Sequence, residues 1–380
     1  KFRLALSIAT LLAPLAVHAE SLSLGTTLDR AQAHDPQWSA IQHGYEANRE
    51  VANLAKAGIL PKVNGKIDTA KVKVDPDGYS GYDYTSHSWG VSVAQPLFNM
   101  EAWHNYEAGK ATTTQFDAQL QGAREEFLLR VVTTYFELLR ANVQLETRKA
   151  EESAISRQLE QTKQRFQVGL VPKTDVQEAQ SAYDLSVVGR ISAESAVQIA
   201  RRNLATLTRS NVEDVKDLQA NMHIGAPQPA DQDAWIRRAL ENNAALNAAK
   251  SAETTASETY KAKRAGHYPT LNLVGSHGFA TGTKNPFSNF DMPDSTQTQI
   301  GLELDIPIYN GGAVSASRRQ ALNQYYQAKD QVELSQQNAD LNAANLYLLV
   351  NTHVQRVNAY AQSIRSAESA LVATQAGYDA

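Results

Sequence analysis

The chain has 380 residues and a net charge of −4, and it contains 9 Phe, 3 Met and no Cys. Its hydrophobic share of 42% leans on alanine, which leaves few large side chains for several thick cores and points to thin, extended packing. Basic residues are interleaved with acidic ones, which excludes nucleic acid as a partner, and the lack of thiols excludes disulfides, thiolate catalysis, Cys-based metal sites and lipidation of an N-terminal cysteine.

Residues 1–19 have the pattern of an export signal peptide: Lys1 and Arg3, the apolar run Leu4 to Ala13, then Val17-His18-Ala19 as a small-x-small-like cleavage site before Glu20. No other window approaches ~20 consecutive apolar residues, so no transmembrane helix is expected. Membrane insertion, if it occurs, must use strands.

Residues 20–62 read as helices, with Ala31, Trp38, Ile41, Tyr45, Val51, Leu54 and Ala55 in a loose helical stripe that ends near Gly58, before Pro61. The period then changes to two. A hairpin is predicted over 63–95, with a weaker first strand at 63–74 and a second in which Trp89, Val91 and Val93 alternate with small or polar residues. The turn-rich loop between them carries Tyr79, Tyr82 and Tyr84.

A long coiled-coil hairpin is expected over 97–208. From Pro96 to Pro172 there is no proline, and such a span is about 100 Å of helix at ~1.5 Å per residue. Phe127, Val131, Tyr135, Leu138, Leu145 and Leu159 form its main stripe, and Leu128, Val132, Leu139 and Val143 form a second row, so the helix has neighbours on two sides. "QRFQVGLVPKTDVQEAQ" (164–180) supplies the turn. Gly169 suits the position just past a helix end, Thr174 or Asp175 suits an N-cap with Glu178 behind it, and a second long helix over about 175–208 is expected to run back. Residues 209–233, with Pro227 and Pro229, link this hairpin to the second half of the chain.

The second half repeats the plan of the first. "LDRAQAHDPQWSAIQ" (28–42) lies over "IRRALENNAALNAAK" (236–250), Pro61 over Pro269, and "VAQPLFN" (93–99) over "LDIPIYN" (304–310). Helices are expected over 234–268, a hairpin over 269–307 in which Ile300, Leu302, Leu304, Ile306 and Ile308 keep period two, and a long helix over 308–380. Its loop carries Phe287 and Phe290, and Tyr309 comes after its last strand. The second copy is read as cut short, because "SALVATQAGYDA" (369–380) matches only part of "SRQLEQTKQRFQVG" (156–169).

Four amphipathic strands cannot close a barrel, since the smallest has about eight, and lipid admits no open sheet edge. If the strands span a membrane, several chains must share one barrel.

The duplicated helix–strand–strand–helix plan, the junctions at Pro96 and Pro307, and above all "RQLEQTKQRFQVGLVPKTDVQEAQSAYD" (157–184) resemble the outer-membrane efflux protein family of TolC-like channels. The resemblance covers nearly the whole chain from Glu20. It implies a mixed fold: a barrel of long antiparallel helical hairpins joined to a four-strand share of a trimeric, twelve-stranded membrane β-barrel. The implied place is the bacterial outer membrane, with a long periplasmic extension, and the implied partners are two sister chains, outer-membrane lipid, a periplasmic membrane-fusion adaptor and an inner-membrane transporter of ABC, RND or MFS type. It implies adaptor contacts at Val168, Gly169 and Leu170, and a pore gate that includes Thr174, Asp175 and Tyr378. On the residues alone, Gly169 only ends a helix, Asp175 only caps one and Tyr378 is an aromatic at a helix seam.

No catalytic, cofactor-binding or metal-binding constellation is present: the nine histidines are scattered, with no pair at i and i+4. The expectation is a passive channel for efflux of small molecules or type I secretion of polypeptides. The rival is a soluble periplasmic coiled-coil scaffold or adaptor.

Overall fold

The computed structural model describes residues 22–75, 77, 81–212, 214–218, 224–282 and 293–379, without the side chains of Val74, Tyr82 and residues 375–379. The expected export signal and the loop aromatics Tyr79, Phe287 and Phe290 lie outside the described residues. The elements in chain order are α1 (Leu24–His34), α2 (Pro36–Lys56), β1 (Lys62–Val74), β2 (Tyr82–Phe98), α3 (Met100–Gln167), α4 (Lys173–Thr208), α5 (Gln232–Asn242), α6 (Ala244–Ala265), β3 (Thr270–Ala280), β4 (Ser295–Asp305) and α7 (Ala313–Asp379). They form two compact units, one from residues up to Ala40 and Arg124–His223, the other from Ile41–Ala123 and Ile224–Ala380.

In the first unit, α3 and α4 enclose a thin core of Tyr135, Leu138, Leu139, Val197, Ala200 and Leu204, which Leu22, Val212 and Val215 complete. Leu22 and Val215 form a parallel bridge. The Tyr135 hydroxyl donates to the Lys216 carbonyl at 2.8 Å and lies 3.3 Å from that of Leu22. One buried phenol thus binds two incoming backbone segments to α3. Ser23 and Thr26 exchange side-chain and backbone hydrogen bonds in a capping box that starts α1.

The single helical stripe expected for 20–62 is broken at Asp35. Pro36 has no N–H to continue α1 and starts α2 at no cost, and the Asp35 carboxylate accepts from the N–H groups of Gln37 at 3.1 Å and Trp38 at 3.3 Å. Arg130 of α3 bonds both Asp35 and Gln37, beside the stack of Trp38 on Phe127 at 5.0 Å. Further along, Arg190 of α4 donates to Glu152 of α3 at 2.6 Å and to Glu194 at 2.7 Å.

The predicted main stripe of α3 is buried at Phe127, Val131, Tyr135, Leu138 and Leu159, whereas Leu128 and Val143 of the companion row remain exposed. Leu185, Val188, Ile191 and Ile199 of α4 are exposed too. Leu139 of that row is buried in the core, so only part of the second row lacks cover within the described chain.

In the second unit α7 packs against α5 and α6. Alanines fill most of the buried positions here, Ala244, Ala248, Ala262, Ala265, Ala321 and Ala339 among them, beside the buried Leu246. Small side chains let backbones approach closely. A β-carbon on Gly109 of α3 would sit 2.8 Å from the Ala55 methyl of α2. That is how an alanine-rich chain packs long helices without bulky residues. Asn243 breaks α5 from α6 and accepts from the Leu246 N–H at 2.8 Å.

The four strands form one antiparallel sheet in the order β1-β2-β3-β4. The register pairs Ile67 with Trp89, Trp89 with Phe279, Leu273 with Leu302 and Gly275 with Ile300, so these residues share a face, and Val63, Val91, Val93, Leu271 and Leu304 lie on it as well. The opposite face carries Asn64, Lys66, Asp68, Ser88, Ser92, Ser276, Gln297, Gln299 and Glu303.

The two strand-to-helix junctions differ despite their matching sequences. β2 runs on through Pro96 to Phe98 by means of an irregularity between those residues, and the Asn99 side chain accepts from the Ala102 N–H at 2.9 Å to start α3. β4 stops at Asp305, short of the alternation expected to include Ile306 and Ile308, because Pro307 has no N–H for a ladder. Gly311 (φ +59°) and Gly312 (φ +82°) then turn the chain into α7.

Candidate functional site

Two places in the chain expose what a folded protein normally hides. One is the turn between α3 and α4. The Gly169 N–H donates to the Phe166 carbonyl and the Leu170 N–H to the Arg165 carbonyl, both at 2.9 Å. With Gly169 at φ +78°, this is the pair of bonds that ends a helix with a left-handed glycine. Hydrophobic residues at such turns usually fold back on the helix, yet Val168 and Leu170 are each 70% exposed. Val168, Gly169 and Leu170 thus come together as a small apolar cap on a hairpin end.

The expected N-cap at Thr174 or Asp175 is replaced by Pro172, which makes no side-chain capping bond. Its ring fixes a φ of −75° and hands the chain directly into α4. Both residues therefore belong to the first helical turn, where a carboxylate is favoured by the helix dipole. The Thr174 hydroxyl donates to the Asp175 carboxylate at 3.3 Å. Among the described residues no cation pairs with Asp175, and Glu178 makes no capping bond. Tyr378 falls at the end of α7 with its side chain outside the described residues, so the structure brings together Thr174 and Asp175 only.

The second place is the sheet. Its apolar face is bare: Ile67 is 85% exposed and Ile300 80%. Among the described residues nothing pairs with the outer edges of β1 and β4. A sheet with one greasy face and two open edges is not a finished structure in water. Beyond Thr69 the pattern inverts: Lys71 pairs with Asp83 at 3.0 Å on what was the apolar face. The greasy band is thus bounded along the strand, as the face of a sheet that passes through a slab of hydrocarbon must be. Sequence reading found the band through its period of two but missed this charged border, whose signal is the change of phase between Ile67 and Val72.

No cluster of His, Cys, Asp and Glu among the described residues is arranged to hold a metal. Within them no helix is long and apolar enough to cross a membrane. One polar cluster that sequence reading missed joins α3 to α6: His104 and Glu258 meet at 2.8 Å, Lys261 donates to Glu258 at 2.6 Å, and Lys263 reaches Glu101 at 3.0 Å. These partners lie 154 and 162 residues apart in their cross-helix pairs, so no local pattern announces them.

Comparison with known proteins gives a consistent set of likenesses. A family model described as "Outer membrane efflux protein" matches residues 27–208 and 235–380. The outer membrane protein TolC of Vibrio cholerae serotype O1 is 29% identical over 96% of this chain and 82% of its own length. The alkaline protease secretion protein AprF of Pseudomonas aeruginosa is 27% identical over 91% of this chain and 73% of its own length. Among solved structures, the outer membrane protein VceC of Vibrio cholerae superimposes with a TM-score of 0.76 at 17% identity, covering 91% of this chain and 83% of that one. That last likeness is one of fold.

Proposed function

This chain belongs to the outer membrane efflux protein family, and we propose that three copies of it close a single channel through the outer membrane. It is an outer-membrane protein of efflux and secretion, from a family of channels and not of enzymes. The reading rests on one observation, the bare apolar face of an open-edged sheet. Within a bilayer every backbone N–H and C=O must be paired. Three four-stranded sheets make a twelve-stranded barrel with the apolar face toward lipid and the polar face toward water. The exposed rows on α3 and α4 would be covered in the same way, as helical hairpins of neighbouring chains pack side by side into a periplasmic tunnel.

The halves of the chain descend, in this reading, from one duplicated unit. Both run helix, helix, strand, strand, long helix, and Asp35 and Asn243 interrupt their helix pairs at matching positions. Residues 1–19 serve as the export signal, β1–β4 span the membrane, and the helices stand in the periplasm.

Channels named for protease secretion and for efflux both occur among the relatives. The same conduit would therefore accept small molecules or polypeptides handed over by an inner-membrane transporter through a periplasmic adaptor. Val168, Gly169 and Leu170 offer that adaptor an apolar cap. Thr174, Asp175 and Tyr378 belong to a gate made between neighbouring hairpins, and repacking of those hairpins opens it when the adaptor binds the open form more tightly. A soluble scaffold would have to leave its greasy sheet face in water, which argues against that alternative. The test is fractionation with planar-bilayer recording. A channel partitions with outer membranes, changes gel mobility on heating and conducts, whereas a protein that stays soluble without detergent and carries no current ends the proposal.

A further inference from the structure

The apolar face of the sheet is not uniform along the strands. Its rungs run from Leu271 and Leu304, beside the helices, to Thr69 and His87, below the charged border. Through the rung that joins Lys62, Ala94, Val274 and Gly301, Leu304 and Thr69 lie about ten residues apart along the strand direction. That is ~33 Å of strand, or ~25 Å along the membrane normal at a tilt of ~40°, the height of an outer-membrane apolar band. The midpoint falls between the rung of Val63, Val93 and Ile300 and that of Val91, His277 and Thr298.

The two halves differ in chemistry. The half nearer the helices is aliphatic, with Leu271, Leu273, Leu302 and Leu304. Gln95 also lies there, but its amide turns back to the carbonyls of Ile59 at 3.0 Å and Pro96 at 2.7 Å and offers lipid nothing. The half nearer the loops sets hydrogen-bonding side chains among its apolar residues. Nδ1 of His277 and Oγ1 of Thr298 meet at 2.7 Å across β3 and β4, and those of His87 and Thr69 at 3.2 Å across β2 and β1. Among the described residues Nε2 of neither ring has a partner. The Trp89 ring lies on the rung between these pairs, 5.8 Å from that of His277.

A polar group turned to hydrocarbon without a partner is costly. The tails of a phospholipid have no polar atom below their ester linkages, whereas the chains of lipid A carry hydroxyl groups and further ester and amide carbonyls beneath the sugar. Resting on the membrane-spanning reading above, we infer that the outer half of this face is a docking surface for the acylated sugar lipid of the outer leaflet. The pairs His277–Thr298 and His87–Thr69 meet the hydroxyl and carbonyl groups of its chains, and the aliphatic half meets plain phospholipid tails. β3 is flanked on both sides by strands of its own chain, so no strand of a sister copy covers His277. Charge does not recruit the lipid. Lys71 and Lys73 stand at the border on the same face, but Asp83 at 3.0 Å and Asp75 at 3.1 Å match them, which leaves no surplus cation for a phosphate.

The probes are Kdo-bearing lipid A and phosphatidylglycerol, both anionic, so that charge alone does not separate them. The full-length protein, purified in detergent, is offered the two in equal amounts, and the lipid it retains is counted by native mass spectrometry. The parent should retain lipid A roughly tenfold over phosphatidylglycerol, the scale of one or two net hydrogen bonds. His277→Leu, Thr298→Val, His87→Leu and Thr69→Val together keep the side chains similar in size and should bring the ratio near one. Lys71→Gln with Lys73→Gln should leave the preference in place. A parent without preference overturns the inference, and so does a preference that survives the apolar variant. A preference lost only with the lysine pair assigns recognition to phosphate at the border and overturns it as well. Should the combined apolar variant fail to assemble, as judged by heat-modifiable gel mobility, His277→Leu alone decides: a severalfold drop supports the surface and an unchanged ratio removes it. A protein that stays soluble without detergent and holds neither lipid ends the membrane-spanning reading itself, an outcome distinct from lipid uptake without preference.

Discussion

Asp35 and Asn243 stand at matching positions 208 residues apart and solve the same problem, each bonding the free N–H groups of the helix that starts behind it. Their surroundings make the two unequal. Asp35 is also bound by Arg130, whereas Asn243 acts as a cap alone. Asn243→Ala should cost about 1 kcal/mol, the usual loss of a cap. Asp35→Ala should cost roughly 3 kcal/mol, because it also strands a half-buried guanidinium. Denaturant midpoints of the detergent-solubilised protein measure both, and equal losses would show that Arg130 adds nothing.

Tyr135 should behave as a fastener for the segment around Lys216. Tyr135→Phe keeps the ring in the core and leaves the carbonyls of Leu22 and Lys216 without their shared donor, a loss of about 1–2 kcal/mol. Hydrogen exchange at Leu22 and Lys216, whose N–H groups donate across the parallel bridge to the carbonyls of Asp214 and Leu22, should accelerate before that of the helices does.

Gly278 and Gly65 lie in the same sheet but should respond oppositely to a methyl group. A β-carbon on Gly278 would meet the Trp89 carbonyl oxygen at 2.8 Å and the Gly90 α-carbon at 3.2 Å, so Gly278→Ala must push β2 from β3 and should cost on the order of 1–3 kcal/mol. At Gly65 a β-carbon has nothing within 4 Å. Gly65→Ala should be neutral or mildly stabilising, and the heat needed to unfold the protein on a gel orders the two variants.

Acid should loosen the contact of α3 with α6 through Glu258. Burial pushes this carboxyl up, but hydrogen bonds from Lys261 and His104, together with their charges, outweigh it and hold the group below its ordinary value. A lowered folded-state pKa means that the stabilisation is complete above the unfolded value of about 4.3 and disappears as pH falls through the folded value. Denaturant midpoints taken from neutral pH downward should therefore fall below about pH 4.3, and Glu258→Gln should flatten that part of the curve. An unchanged slope in the variant would assign the acid sensitivity elsewhere.

If the hairpin end docks an adaptor as proposed, Val168→Asp with Leu170→Asp should leave folding and conductance intact while raising drug susceptibility in cells, because these exposed side chains take no part in the core. Asp175→Ala should instead raise leak current in planar bilayers without loss of assembly. A variant that conducts like the parent would remove Asp175 from the gate.

Much of this architecture can be read along the chain because it is periodic. Period two at Ile300, Leu302 and Leu304 announces a strand, and the stripe from Phe127 to Leu159 announces the buried side of α3. Both are repeated signals that survive local noise. Punctuation is harder to read. The stripe from Ala31 to Tyr45 hides the break at Asp35, since a capped break keeps the helical phase nearly intact. Thr174 and Asp175 have the chemistry of an N-cap, yet Pro172 takes the position by its fixed φ. Contacts such as His104 with Glu258 join distant helices and have no local signature.

The two strand-to-helix joints differ in stiffness. At Asn99 the strand, the cap and α3 are bonded in sequence, so any twist of that helix is transmitted to the sheet as through a weld. At Gly311 and Gly312 two left-handed residues stand in succession with open space where side chains would be, so no neighbour packs against that joint to restrain it. On the trimeric reading proposed above, α7 is the leaf that such a joint frees and α3 the post, so that the far end dilates while the strands hold still.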